Sequence, residues 1–196
     1  DVAAEGRRLR VGRHEDAGDL LAGGGEPEAA KEQFRQADSL LTVNDNIQRA
    51  RLLRKTASLL INQSQAEAAQ HTFDEAEKIL GAPATHNADL WQQEWIQLQL
   101  EWCWMLYAFG RAVELESKLA QLQSALETSG TPAQQFKYFY SRMLLGHRLH
   151  RYTSPDEDVG YAQAARAAAY QTGDLRHIAL ADWNLGVVLL CRSDLP

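Results

Sequence analysis

The stretches "EAAKEQFRQADSLL" (Glu28–Leu41) and "EAAQHTFDEAEKIL" (Glu67–Leu80) lie 39 residues apart and share Glu, Ala, Ala, Phe, Ala and Leu at matching places. Between those places the residues vary freely. Small residues bracketing one large aromatic at helical spacing describe a helix that approaches a neighbour closely and fills the space beneath it with a ring. The rest of the chain carries the same kind of element. Leu, Ala, Gln, Glu and Arg, all good helix formers, dominate, and no segment shows the two-residue alternation of a strand.

Breaks fall at intervals: Gly23-Gly24-Gly25 with Pro27, Gly81 with Pro83, Gly130 with Pro132, Ser154-Pro155 and Gly173-Asp174. Thr131-Pro-Ala-Gln134 and Ser154-Pro-Asp-Glu157 both fit a capping box, with Pro where its missing N–H costs nothing. The pattern predicts helices over 3–22, 27–41, 46–62, 65–80, 87–108, 111–128, 132–151, 155–172 and 175–192. Short loops between them make neighbours antiparallel.

The spacing Ala-x3-Phe-x2-Ala occurs as Ala30-Phe34-Ala37 and Ala69-Phe73-Ala76, and it resembles the second helix of a tetratricopeptide (TPR) hairpin. Such a hairpin carries a small residue twelve positions before the first Ala and a large one three further on. Gly18 with Leu21 and Ala57 with Leu60 stand there, and Gly25 and Ser64 occupy the turn seven residues after the small position. In a third unit Cys103, Gly110 and Leu115-Leu119-Leu122 take these places. A fourth has Leu145-Gly146, about four inserted residues, then Ala162, Arg166 and Ala169. A fifth has Leu185-Gly186 and Ser193-Asp194.

The small position steps from 18 to 57, 103, 146 and 186, longer periods than the roughly 34 residues of the standard repeat. The expected fold is therefore all-α, a right-handed superhelix of antiparallel helix pairs with about nine helices. It would form a single TPR-like array with units near 3–41, 46–80, 87–128 and 132–172 and a truncated fifth over 175–196. The long periods and the segment "YQTGDLRHIALADWNLGVVLLCRSDL" resemble the repeat arrays of bacterial multidomain regulators of the STAND and AAA types. That resemblance implies a sensor or interaction segment controlling a nucleotide-dependent module elsewhere, since no Walker A, helix-turn-helix or cyclase motif lies in this chain.

The same resemblance implies a ligand-binding groove lined by the first helices. Carried over position by position, it assigns Arg51, Arg54, Ser58, Ile61 and Asn62 in the second unit, and Gln97, Leu100, Trp104, Tyr107 and Ala108 in the third. The fourth offers Tyr140, Met143, His147, His150 and Arg151, and the fifth Leu180 and Trp183; Glu15 and Asp19 break the basic trend in the first. Guanidinium and aromatic side chains together suit an extended acidic or aromatic peptide. The same residues also suit solvated charge and ordinary packing. The Trp-rich run "WQQEWIQLQLEWCWMLYAF" reads first as a helix buried by neighbours on both sides, with Trp104 the residue whose register points to the groove.

Bulk properties narrow the classes further. A formal charge of −6 leaves no overall basic surface, so neither nucleic acid nor membrane is an expected partner of this segment. The longest apolar run, Trp102 to Phe109, falls far short of the about 20 residues a membrane helix needs. Cys103 and Cys191 sit in apolar helical stretches without CxxC or metal-ligand spacing, which fits buried thiols in a reducing compartment and a cytoplasmic location. "HRLH" places His147 and His150 on one helix face without companion ligands.

No nucleophile–base arrangement or phosphate loop stands out, so neither an enzyme nor a cofactor is expected. The start, Asp1-Val-Ala-Ala-Glu, and the end, "RSDLP", read as cuts in a longer polypeptide. The leading expectation is a non-catalytic interaction or sensor segment binding a protein or peptide partner. The alternatives are self-association through an open C-terminal hairpin, where Leu185, Val188 and Leu189 would lack cover, and an array sensing a small-molecule inducer.

Overall fold

In the computed structural model, which describes residues 2–83, 87–151 and 153–192, nine α-helices and no strand occur among the described residues. They are α1 (Val2–Gly23), α2 (Pro27–Ser39), α3 (Asn46–Asn62), α4 (Ala66–Leu80), α5 (Ala88–Ala108), α6 (Ala112–Ser129), α7 (Pro132–Leu149), α8 (Asp156–Thr172) and α9 (Leu175–Cys191). Their ends lie within two residues of those expected. The chain divides into two compact units, Asp1–Leu98 and Gln99–Pro196, with the division inside α5.

The turns between α1 and α2, α3 and α4, and α5 and α6 are one turn used three times. Gly25, Ser64 and Gly110 take left-handed backbone angles (φ 80°, 60° and 77°). Around each, the next amide reaches back five residues: Glu26 N–H to the Leu21 carbonyl, Gln65 to Leu60 and Arg111 to Leu106, each at 2.9 Å. These bonds satisfy carbonyls that a helix end leaves open. The following helix then begins after Glu26, Gln65 or Arg111, which share nearly the same angles (φ −108°, −95°, −85°; ψ 66°, 70°, 63°). Only Ser64 holds the left-handed position with a side chain.

The small residues of the first helices meet the large residues of the second. A Cβ on Gly18 would fall 2.3 Å from Phe34 Cε1, so the ring occupies the space the glycine leaves. Phe34 joins Val11, Ala30, Ala37, Leu52 and Leu59 in one buried cluster. In the next hairpin Ala57, Ala69, Phe73 and Ala76 are all fully buried. Leu115, Leu119, Leu122 and Leu126 do the same along α6, on the Gln99–Pro196 side of the division.

The α7–α8 hairpin departs from this chemistry. Gly146 leaves room for a carboxylate, and a Cβ there would fall 1.9 Å from Asp158 Oδ1. Asp158 is itself buried and meets His150 Nδ1 at 3.0 Å. Arg166, at the place of the aromatic, is exposed and pairs with Asp182 of α9 at 2.5 Å.

Two expectations are corrected. Thr131 forms its full capping box with Gln134, but Ser154 forms none. The α8 helix starts one residue later, with Pro155 in extended conformation as its cap, which leaves the Ser154 hydroxyl buried without a hydrogen-bond partner. Val188 does not lack cover: it is fully buried against Met143, Leu144, Val159 and Ala162, with Leu185 packed beside them. The open side of α9 carries Trp183, Gly186, Leu189 and Leu190, which a 100° step per residue places within one arc opposite Val188. Ser193 and Asp194 lie outside the described residues.

The contrast between two glycines gives a measurable outcome. Gly18→Ala is expected to destabilise by about 1–3 kcal/mol through collision with Phe34. Gly186→Ala, with no atom within 4 Å of the new Cβ, is expected to stabilise by about 1 kcal/mol through helix propensity. Urea unfolding of both variants checks the pair.

Candidate functional site

The predicted binding residues divide by their surroundings. In the Asp1–Leu98 unit, Arg51 and Arg54 lie one helical turn apart on α3 and converge on one carboxylate. Arg54 Nε donates to Glu94 Oε1 at 2.6 Å and Arg51 Nε to Glu94 Oε2 at 3.0 Å. Glu94 is 4% exposed and Arg54 7%, so the pair is buried, while Arg51 is half-buried. Arg54 is thus held inside the unit rather than displayed in a groove. Ser58 Oγ turns back to the Arg54 carbonyl at 3.2 Å, and Asn62 is exposed. Glu15 and Asp19 on α1 share Lys55 of α3, each at 2.6 Å.

Charges on the first helices of this unit therefore join α1 to α3 and α3 to α5. Sequence reasoning singled out the two arginines and missed Glu94. The available signal was an acid between Trp91 and Trp95 in a run rich in Trp, Ile and Leu, where an unpaired carboxylate costs too much to bury.

The Gln99–Pro196 unit keeps its aromatic residues nearer the surface. Trp104 is 43% exposed and its ring lies 5.6 Å from that of Tyr107, tilted by 31°. The Arg148 guanidinium of α7 sits 4.0 Å above the Tyr107 ring, a cation–π contact that register did not anticipate. Tyr107 and Tyr140 pack against the same buried cluster, and Tyr140 is hydrogen-bonded to Asn184 of α9. Burial, with the nearby Tyr107 phenol, pushes the Tyr140 hydroxyl above the usual tyrosine range, against the Asn184 bond. Trp104, Tyr107, Arg148, Tyr140 and Asn184 thus form a connected series across α5, α7 and α9. On α9, Leu180 and Trp183 are exposed, Trp183 by 66%.

Other members of the predicted set are not on this surface. Met143 is fully buried, because its side of α7 faces Val159, Ala162 and Val188. His147 is also buried, and its burial pushes its pKa below the usual histidine value, with the Asp158 charge opposing. His150 is half-buried against Asp158, and Arg151, exposed, takes a left-handed φ of 53° in the turn.

Cys103, fully buried, has its thiol pushed up to about 12 by desolvation, so it stays protonated and unreactive. Among the described residues no three His, Cys, Asp or Glu side chains gather as metal ligands, and no helix is long and apolar enough to cross a membrane. What the surface offers is aromatic faces and a stacked guanidinium. No family model matches this chain, and no curated protein is significantly similar to it.

Two outcomes follow from the buried charges. Glu94→Ala leaves Arg54 buried without its carboxylate and is expected to cost about 3–5 kcal/mol in urea unfolding. His147 is disposed to be neutral when folded, whereas the unfolded chain takes up the proton at about pH 6.5. The unfolded state then binds more protons below that pH, so stability falls as pH drops from there toward the lower folded value. His147→Gln is expected to flatten this acid-side slope, measured by unfolding across that interval.

Proposed function

We propose that this chain is a non-catalytic, TPR-like interaction or sensor segment of a larger cytoplasmic signalling or transcription-regulatory protein. It holds an extended peptide of a protein partner on the first-helix face of the Gln99–Pro196 unit. The observation that carries the reading is the exposed Trp104 set against Tyr107 beneath the Arg148 guanidinium. An exposed indole costs solvation unless a partner covers it, and a stacked guanidinium keeps hydrogen-bond donors for a carboxylate. The three matching turns, which recur at the register of the sequence repeat, and the Gly18–Phe34 contact at the same register in the first hairpin support the TPR-like assignment. The regulatory role rests on the resemblance of the long-period array alone.

A second reading, self-association, is favoured by the exposed side of α9, where Trp183, Leu189 and Leu190 are exposed together. Light scattering across a concentration series separates the two: a growing mass favours self-association, and a constant monomer mass removes it.

The peptide reading is tested by selecting binders from a random peptide library and measuring their affinity for variants. Trp104→Ala and Arg148→Gln are each expected to weaken a selected peptide by about tenfold or more. Unchanged affinity in both, with helical content retained, removes the assignment of this face.

A further inference from the structure

A cavity of about 610 Å³ opens in the Asp1–Leu98 unit, walled by α1, the α2–α3 loop, the start of α3 and the start of α5. Its volume falls within the roughly 300–1,000 Å³ typical of small-molecule sites. Three guanidinium groups line it, those of Arg7, Arg8 and Arg51. The acidic groups facing them are few. Asp45 lines the cavity, its carboxylate held below the usual aspartate range by hydrogen bonds from the Thr42 hydroxyl and amide, each at 2.6 Å, with Arg7 adding to the effect. Glu94 engages Arg51 but is shared with Arg54. Glu15, which Gln48 of the cavity wall contacts, shares Lys55 with Asp19.

Arg7, Arg8, Arg51, Arg54 and Lys55 against Asp45, Glu94, Glu15 and Asp19 leave a net positive charge at one place in a chain whose net charge is −6, with Arg7 and Arg8 lining the cavity. The cavity also adjoins the N-terminal ends of α3 and α5, whose partial positive charge favours an anion.

Two further observations shape the occupant. Val11, Leu41, Ile47 and Leu90 supply an apolar wall beside the arginines. Asn87, also in the wall, has its Oδ1 buried with no hydrogen-bond partner. A buried acceptor left open is costly, and a ligand N–H or O–H placed there would remove the cost.

The geometry points to a binding site for a small amphipathic oxyanion: a carboxylate or phosphate monoester on a compact apolar body. Arg7 and Arg8 take the oxyanion by charge-assisted hydrogen bonds, assisted by Arg51. The body lies on the Val11–Leu90 wall, and a donor on a fuller ligand answers Asn87. No residue of the Gln99–Pro196 unit lines this cavity, so the inference stands or falls apart from the peptide reading.

The test is an amide NMR titration of the full chain with phenyl phosphate, phenylacetate and benzyl alcohol as probes. At least one anion is expected to give saturable shifts around Gly12, Asn44 and Leu90 at about millimolar concentration. The tighter of the two identifies the oxyanion. Raising salt from about 50 mM to about 500 mM is expected to weaken binding several-fold. The double variant Arg7→Gln/Arg8→Gln, with helical content retained, is expected to lose about tenfold. No saturation by either anion at about 20 mM overturns the proposal. So does benzyl alcohol binding as tightly as the anions, or undiminished affinity in the double variant.

Discussion

The close approach of two helices at Gly18 and Phe34 sets the geometry on which the first hairpin depends. A ring fits against a helix backbone only where no side chain intervenes. Once it is seated, Ala30 and Ala37 can sit fully buried on either side, and the chain must reverse within a few residues of Gly25. Ala57 and Phe73 in the second hairpin and Leu119 in α6 are likewise fully buried, and the turn recurs in detail. Where the requirement is met differently, at Gly146, the turn differs as well. The space accepts Asp158, the connection lengthens, and the left-handed residue becomes Arg151.

The hairpins fix the first helices, and the first helices are tied to one another by polar contacts. Lys55 binds Glu15 and Asp19; Glu94 binds Arg51 and Arg54; Tyr140 meets Asn184. These contacts engage Arg51, Arg54 and Tyr140, which the repeat pattern assigned to a groove. A charge buried without its partner costs several kilocalories per mole, so helix-to-helix pairing outcompetes display to solvent wherever a counter-charge lies within reach. Where the neighbour offered an aromatic face instead, as at Tyr107 and Trp104, the surface remained partly open. The two units thus present different chemistry: a cationic cavity in one, an aromatic surface in the other.

The fold was largely legible because it rests on local rules. Helix propensity, the placing of Gly and Pro, and the small–large–small spacing each act within a few turns of chain, and helix ends came within two residues. Ser154 escaped because a capping residue depends on where the first turn closes, and Pro155 moved that point by one residue. The candidate site was only partly legible. Trp104 is exposed and Tyr107 half-buried, whereas Arg54, Met143 and His147, assigned to the same face by the repeat pattern, are buried by neighbours. Arg148 and Asn184 carried no local signal, since their importance comes from Tyr107 and Tyr140 on other helices.

The sequence by itself determined an all-helical chain, the lengths of its helices and the three matching turns, because backbone hydrogen bonding and steric fit act between near neighbours. The tertiary structure decided which charges are spent on pairing and which remain. That outcome depends on distances between residues as far apart as Arg54 and Glu94, set only when the hairpins pack. The gathering of Arg7, Arg8 and Arg51 around one cavity has the same origin. The two stretches that open the chain's pattern, Glu28–Leu41 and Glu67–Leu80, belong to the first kind. They hold the helices in place, and the surfaces those helices present belong to the second.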